Sequence, residues 1–217
     1  MRPNAPNLPP ALPAVVPPQA LPPAAAQRAL FAAITFAHAS ELLPLLKEAL
    51  AAGASFNVRN SQNHDVFTLA VIHDRPHALG TLLALGAVLP DVQDDGMDLL
   101  MRAAMLDHAA CCDELIRLAD FDLELTDGEG RTALFFAAQF GSVQSARILL
   151  DAGAKADESS YELGPETLQS IFGLNHRLDG KQVTPLMIAT ALGDGVMVDL
   201  LMAEGAQAND GDFPPLH

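Results

Sequence analysis

Residues 127–157 read Asp-Gly-Glu-Gly-Arg-Thr-Ala-Leu-Phe-Phe-Ala-Ala-Gln-Phe-Gly-Ser-Val-Gln-Ser-Ala-Arg-Ile-Leu-Leu-Asp-Ala-Gly-Ala-Lys-Ala-Asp. The stretch parses into a polar hairpin, a short helix holding Leu134, Ala137 and Ala138, a break at Gly141, a second helix ending Ile148-Leu149-Leu150, and a stop at Gly153. The same layout returns along the chain at a nearly fixed spacing. Repetition at a period of about 20–50 residues points to a stacked array before any single element has to be assigned.

The glycine after the second helix sets the register, because a residue with positive φ ends a helix at little steric cost. It falls at Gly53, Gly86, Gly153 and Gly205. Gly53 to Gly86 spans 33 residues, and Gly86 to Gly153 spans 67, two periods with Ala119 in the glycine's place between them. Gly153 to Gly205 spans 52, one period of 33 plus an insertion of 19. The start of the first helix keeps step, with Asp65, Asp98, Thr132 and Thr184 followed by Val-Phe, Leu-Leu, Ala-Leu and Pro-Leu.

Thr184-Pro185-Leu186-Met187-Ile188-Ala189 resembles the Thr-Pro-Leu-His-x-Ala signature of ankyrin repeats. The resemblance implies an all-α ankyrin-repeat solenoid of helix-turn-helix units joined by short hairpin turns. Five repeats are expected, at about residues 27–59, 60–92, 93–126, 127–157 and 179–210, with an insertion at 158–178. The fourth and fifth match the family pattern well. The second and third carry Asp65 and Asp98 where the family prefers Thr, and Asp74 and Asp107 where it prefers Gly. The first, around residues 32–37, rests on position and on the Ala49–Ala54 stretch.

Composition fits a linear stack whose core is the sum of its interfaces. Trp is absent and Tyr occurs once, so the core must come from Ala, Leu, Ile, Val, Met and Phe. Cys111 and Cys112 are helical neighbours that point in different directions; they are expected to stay unpaired in a reducing compartment. Residues 1–26 contain nine prolines and, before Arg28, a single charge, Arg2. They read as an extended polyproline-like arm or a flexible leader, neither a signal peptide nor a membrane span, whose Leu8, Leu12, Val15, Val16 and Leu21 are able to cap the outer face of the first repeat. No other segment is apolar enough to cross a bilayer, so a cytoplasmic protein is expected.

The formal net charge is −15. An acidic surface repels phosphate backbones and anionic lipid, which argues against nucleic acid and membrane partners and favours a basic protein. No catalytic constellation, cofactor motif or metal set emerges. His73 and His77 are four apart, as helical metal ligands are, but the register puts Asp74 at the break between helices and Pro76 at the start of the second, so the two histidines belong to different elements. Gly128 and Gly130 belong to a turn, not to a phosphate cradle.

Surface recognition remains. The resemblance implies a partner at the hairpin tips and on the exposed ends of the first helices. The tips supply His64, Asp94, Asp95, Met97, Glu129 and Arg131; the helix ends supply Ile72, Met105, Gln139 and Phe140. Ile72, Met105, Leu106, Phe140 and Leu192 form a candidate apolar contact stripe, with Ile72 and Met105 at the more open position and with Leu106, Phe140 and Leu192 expected, by a small margin, to tuck under the neighbouring repeat instead. The insertion contributes Tyr161 and, on a short apolar helix face, Phe172. Residues 209–217 look like the opening of a further repeat, with Pro215-Leu216-His217 matching the signature. The functional expectation is a non-enzymatic protein-binding module. A bacterial immunity protein that covers a basic toxic enzyme is the alternative, and a metal- or His-dependent enzyme a distant third.

Overall fold

The computed structural model describes residues 23–90, 92, 96–119, 121–160 and 182–207. Ten helices lie among them: α1 (Pro23–Phe36), α2 (Ala39–Ala51), α3 (Val66–Ile72), α4 (Pro76–Ala84), α5 (Leu99–Met105), α6 (Ala109–Leu118), α7 (Ala133–Phe140), α8 (Val143–Asp151), α9 (Pro185–Leu192) and α10 (Gly195–Ala203). They form five antiparallel pairs. Each first helix packs on the first helix of the next pair, and each second helix on the next second helix, which gives two parallel rows. The helix α1 opens at Pro23, four residues inside the segment read as an arm.

Local chemistry explains where the helices begin. Asp65, Asp98, Thr132 and Thr184 are all N-caps with extended backbone, each accepting a hydrogen bond from the main-chain N–H three residues on, at 2.8, 2.7, 3.2 and 3.2 Å. The capping oxygen is what the position requires, and a carboxylate provides it as well as a hydroxyl does. Asp65 and Asp98 therefore keep the repeat's geometry although they depart from its usual residue.

The break between paired helices tells a similar story. Gly141 and Gly193 turn the chain with φ of 68° and 74°, and the aspartates in the equivalent places adopt the same left-handed region, Asp74 at 49° and Asp107 at 54°. Asp tolerates this conformation better than most residues because its short side chain hydrogen-bonds nearby. Here the bonds reach the next repeat: Asp107 Oδ1 accepts from the Ser145 N–H at 3.0 Å, and Asp74 Oδ1 from the Cys111 thiol at 3.5 Å. A second ladder runs beside it. The Arg75 guanidinium donates to the Thr35 carbonyl through Nε at 2.9 Å, His108 Nδ1–H to the Val71 carbonyl at 2.7 Å, and Ser142 Oγ–H to the Met105 carbonyl at 3.5 Å. Orphan carbonyls at the end of one helix are thus satisfied by the following repeat.

The first helices of the second to fifth pairs are buried almost all round because they are packed on several sides at once. At the fifth position after each cap stand Ala70, Ala103, Ala137 and Ala189, all with no solvent exposure. Larger side chains fill the space between the rows, among them Phe67, Leu100, Phe135, Leu79 and Leu115. Cys111 and Cys112 are free and fully buried; burial raises both thiols, Cys112 to about 12, so neither is an ionised nucleophile at neutral pH.

The close approach at the alanines yields a test. Ala137→Leu overpacks the contact of α7 with its neighbours and is expected to cost about 1–3 kcal/mol in urea unfolding while leaving the helical circular dichroism signal unchanged. A stability equal to wild type would show that the stack does not depend on that approach.

Candidate functional site

Among the described residues, two hairpin tips are each built around one side chain that holds its own loop. Asn60 Oδ1 accepts from the N–H groups of Gln62 and His64, both at 2.9 Å, and Asp127 Oδ1 accepts from those of Glu129 and Arg131, both at 2.9 Å. The main chain closes the same loops, Asn60 N–H to the His64 carbonyl and Asp127 N–H to the Arg131 carbonyl. Asn63, Gly96 and Gly130 occupy the left-handed position two residues before each cap, with φ of 65°, 79° and 76°. His64, Met97 and Arg131 then sit in equivalent places just before the caps, all partly buried.

The last hairpin has the same frame, opened wide. Ser160 N–H donates to the Val183 carbonyl at 2.9 Å, and Ser160 Oγ accepts from the Val183 N–H at 3.3 Å, which makes Ser160 the counterpart of Asn60 and Asp127. Three residues bridge the other two tips, whereas 22 residues, 161–182, bridge this one. The excess of 19 is the length that the glycine spacing required. The extra chain is therefore carried by the tip itself, and starts three residues later than the 158–178 segment expected from the sequence. Tyr161 and Phe172 lie outside the described residues, as do Asp94 and Asp95.

The tip of the fourth pair is an ion-paired cluster in which Arg131 faces both Asp127 and Glu129, leaving the tip acidic. Arg131 Nε donates to Asp127 Oδ2 at 2.8 Å, its terminal nitrogens lie 2.6 Å from Asp127 and 3.2 Å from Glu129, and its guanidinium sits 4.7 Å from the centre of the Phe136 ring. Arg131 is thereby committed to its own loop, and Glu129 shares its charge with Arg131.

The helix ends reverse one expectation. Ile72, Met105 and Gln139, seven residues after their caps, are half-buried, and Met105 packs against the core. One residue further turns the side chain by about 100° around the helix, out of the packed interface. Leu106 is 39% exposed, Phe140 53% and Leu192 44%, with His73 exposed in the same column. The three large apolar side chains expected to tuck under their neighbours stand in solvent instead. Leu106 and Leu192 thus stay with Phe140 in the candidate contact stripe, on the exposed side of the two alternatives that the sequence left open. Asp74 and Asp107 follow this column directly and are exposed beside it.

The histidine pair separates as the register requires. His73 ends α3 and His77 lies in the first turn of α4. Among the described residues no cluster of three or more His, Cys, Asp or Glu side chains is arranged to hold a metal ion, and no helix is long and apolar enough to cross a membrane.

Helix pairs in two rows, Thr and Asp caps and Gly and Asp breaks at one shared period, and hairpin tips in register describe one kind of array. The family model for ankyrin repeats (3 copies) matches residues 67–160. These are ankyrin repeats. The pairs α1–α2 and α9–α10, outside that match, continue the stack on both sides, α9 with the same Thr184 cap and Gly193 break. The fold is the all-α ankyrin solenoid.

One group beneath the third tip is electrostatically strained. Asp98, only 3% exposed, has its carboxyl raised to about 6, first by burial and further by the charge of Asp122, against the lowering effect of the N–H groups that it caps. The folded pKa lies above the unfolded value of 3.8, so the folded state holds its proton between these limits while the unfolded state releases it. Stability attached to this group is therefore present below pH 4 and lost as pH rises through about 6. Asp98→Asn keeps a capping oxygen without the buried charge. Urea melts should show the variant gaining on wild type across pH 4–6, by up to about 3 kcal/mol at neutral pH. A difference that does not change with pH would remove Asp98 as the titrating group.

Proposed function

We propose that this protein is a binding module that holds another protein against the exposed ends of its first helices and its hairpin tips, without performing catalysis. Ankyrin repeats generally mediate protein–protein interaction, and the observation that carries the reading here is the exposed column Leu106, Phe140 and Leu192. Scattered apolar side chains on a surface need no explanation, but aligned ones repeated across successive units form a continuous strip that water wets poorly. Such a strip supplies the buried anchors that dominate binding energy.

Charge gives the partner's character. The net charge of −15 and the exposed Asp74 and Asp107 beside the strip favour a basic protein, steering its approach while the apolar side chains set how long it stays. Asp94 and Asp95 extend the acidic edge at the third tip, and Met97, Met105, His64, Ile72 and Gln139 form the floor and margin of the surface. Glu129 adds to this acidic edge at the fourth tip, where Arg131 is shared between Asp127 and Glu129 and so leaves the tip with negative charge. The chain between Ser160 and Val183, with Tyr161 and Phe172, leaves from the tip row and so from the partner's side.

The test pairs affinity with thermal stability. A partner captured from the native cell and identified by mass spectrometry is titrated against Leu106→Ser, Phe140→Ser and Leu192→Ser. Each side chain that anchors the partner should cost at least about 2 kcal/mol of affinity when removed and leave the melting temperature unchanged, because the side chains stand outside the core. Normal binding by all three variants would move the partner to another face.

A further inference from the structure

The stack has an end that the helices themselves leave bare. The face of α1 and α2 turned away from the second repeat holds a cleft of about 430 Å³ lined by Ala29, Ala32, Phe36, Leu45 and Ala49, with Glu48 its one charged residue. Phe36 is 75% exposed and Leu43 and Leu45 are each 41% exposed, although the opposite face of the same helices is core, with Leu30, Ile34, Leu42 and Leu46 at 1% or less. In every other position of the array this side would carry a neighbouring repeat, and terminal units of such arrays need a cover.

We propose that residues 8–21 of the same chain are that cover, running back along α1 as a polyproline-like strand whose aliphatic side chains enter the alanine-walled cleft between α1 and α2. The occupant is identified by tether, length and chemistry. Residues 1–22 lead directly into Pro23, the first residue of α1, so the segment is delivered to this face by the covalent chain. The helix α1 has 14 residues, or about 21 Å. Residues 8–21 in polyproline form span about 43 Å, ample to turn back and pass Phe36. With three residues per turn, Leu12, Val15, Pro18 and Leu21 fall on one side of the strand.

The chemistry matches on both sides. The segment's one charge is Arg2, outside the docking stretch, and the cleft is apolar apart from Glu48. Small alanines give a flat floor on which an extended strand can lie, with Phe36 as an aromatic wall of the kind that proline-rich strands dock against. Prolines also reduce the conformational freedom lost on docking. A short tether raises the local concentration of the segment to the order of millimolar, so a free protein must bind this cleft more tightly than that to displace it. A basic partner finds little here, which separates this end from the acidic-edged strip of the inner helices.

Cysteine reporters in the full-length chain test the placement. Val15→Cys combined with Ala32→Cys, under mild oxidation, should give an intramolecular disulfide whose yield does not depend on protein concentration; the buried Cys111 and Cys112 do not compete. In Ala32→Cys alone, thiol labelling should speed up at least about tenfold when Leu12→Ser, Val15→Ser and Val16→Ser are added, because the cover then opens. Disulfide-linked dimers rising with concentration would overturn the proposal in favour of a second copy at this face. A labelling rate indifferent to the three serine substitutions would overturn it in favour of a cleft that the chain leaves open.

Discussion

Everything in this molecule depends on how closely the first helices approach one another. Ala70, Ala103, Ala137 and Ala189 stand at the same step of successive helices with no exposed surface, and small side chains there allow close helix contacts. Close approach lets Phe67, Leu100 and Phe135 fill the layer between the rows, and it brings the capping and break residues of one unit within hydrogen-bonding distance of the next. Stability is then shared between repeats and their interfaces, as in any one-dimensional array. A single unit, able to bury only one side of each helix, would not hold its shape alone.

The same spacing accounts for what the array presents to its surroundings. Elements repeated in register put equivalent residues in columns, so whatever one position does is done several times along one face. The position eight after the cap is the last outward-facing step before the chain turns back, and it carries His73, Leu106, Phe140 and Leu192. The next position must adopt a left-handed conformation, which restricts it to Gly or, at Asp74 and Asp107, to an Asp whose carboxylate bonds into the following repeat. Apolar strip and acidic margin therefore arise side by side from one geometric rule. The fold by itself supports many functions and specifies none.

Departures from the family pattern also become intelligible. Asp in place of Thr at two caps preserves the accepting oxygen; at Asp98 the replacement puts a charge where burial and Asp122 both oppose it. Asp in place of Gly at two breaks costs backbone comfort and gains inter-repeat hydrogen bonds. In the last hairpin, Ser160 takes the role of Asn60 and Asp127, and its two bonds to Val183 hold the frame of a tip that carries 22 residues instead of three.

The sequence by itself determined the architecture, the number of helix pairs and the register. Caps, left-handed breaks and glycine stops are local requirements, met by residue types within a few positions of one another, and a fixed period makes them readable even where Asp replaces Thr or Gly. It also separated His73 from His77, since Asp74 and Pro76 mark a boundary between them. Only the tertiary structure decided which side of each helix end meets water. Whether Leu106, Phe140 and Leu192 are covered depends on the rotation of each helix against its neighbours, a quantity that an all-apolar helix such as Ala133–Phe140 does not encode in its own pattern. The origin of the insertion was likewise invisible, because the pairing of Ser160 with Val183 joins residues 23 apart in the chain and is defined by a hydrogen bond rather than by a motif.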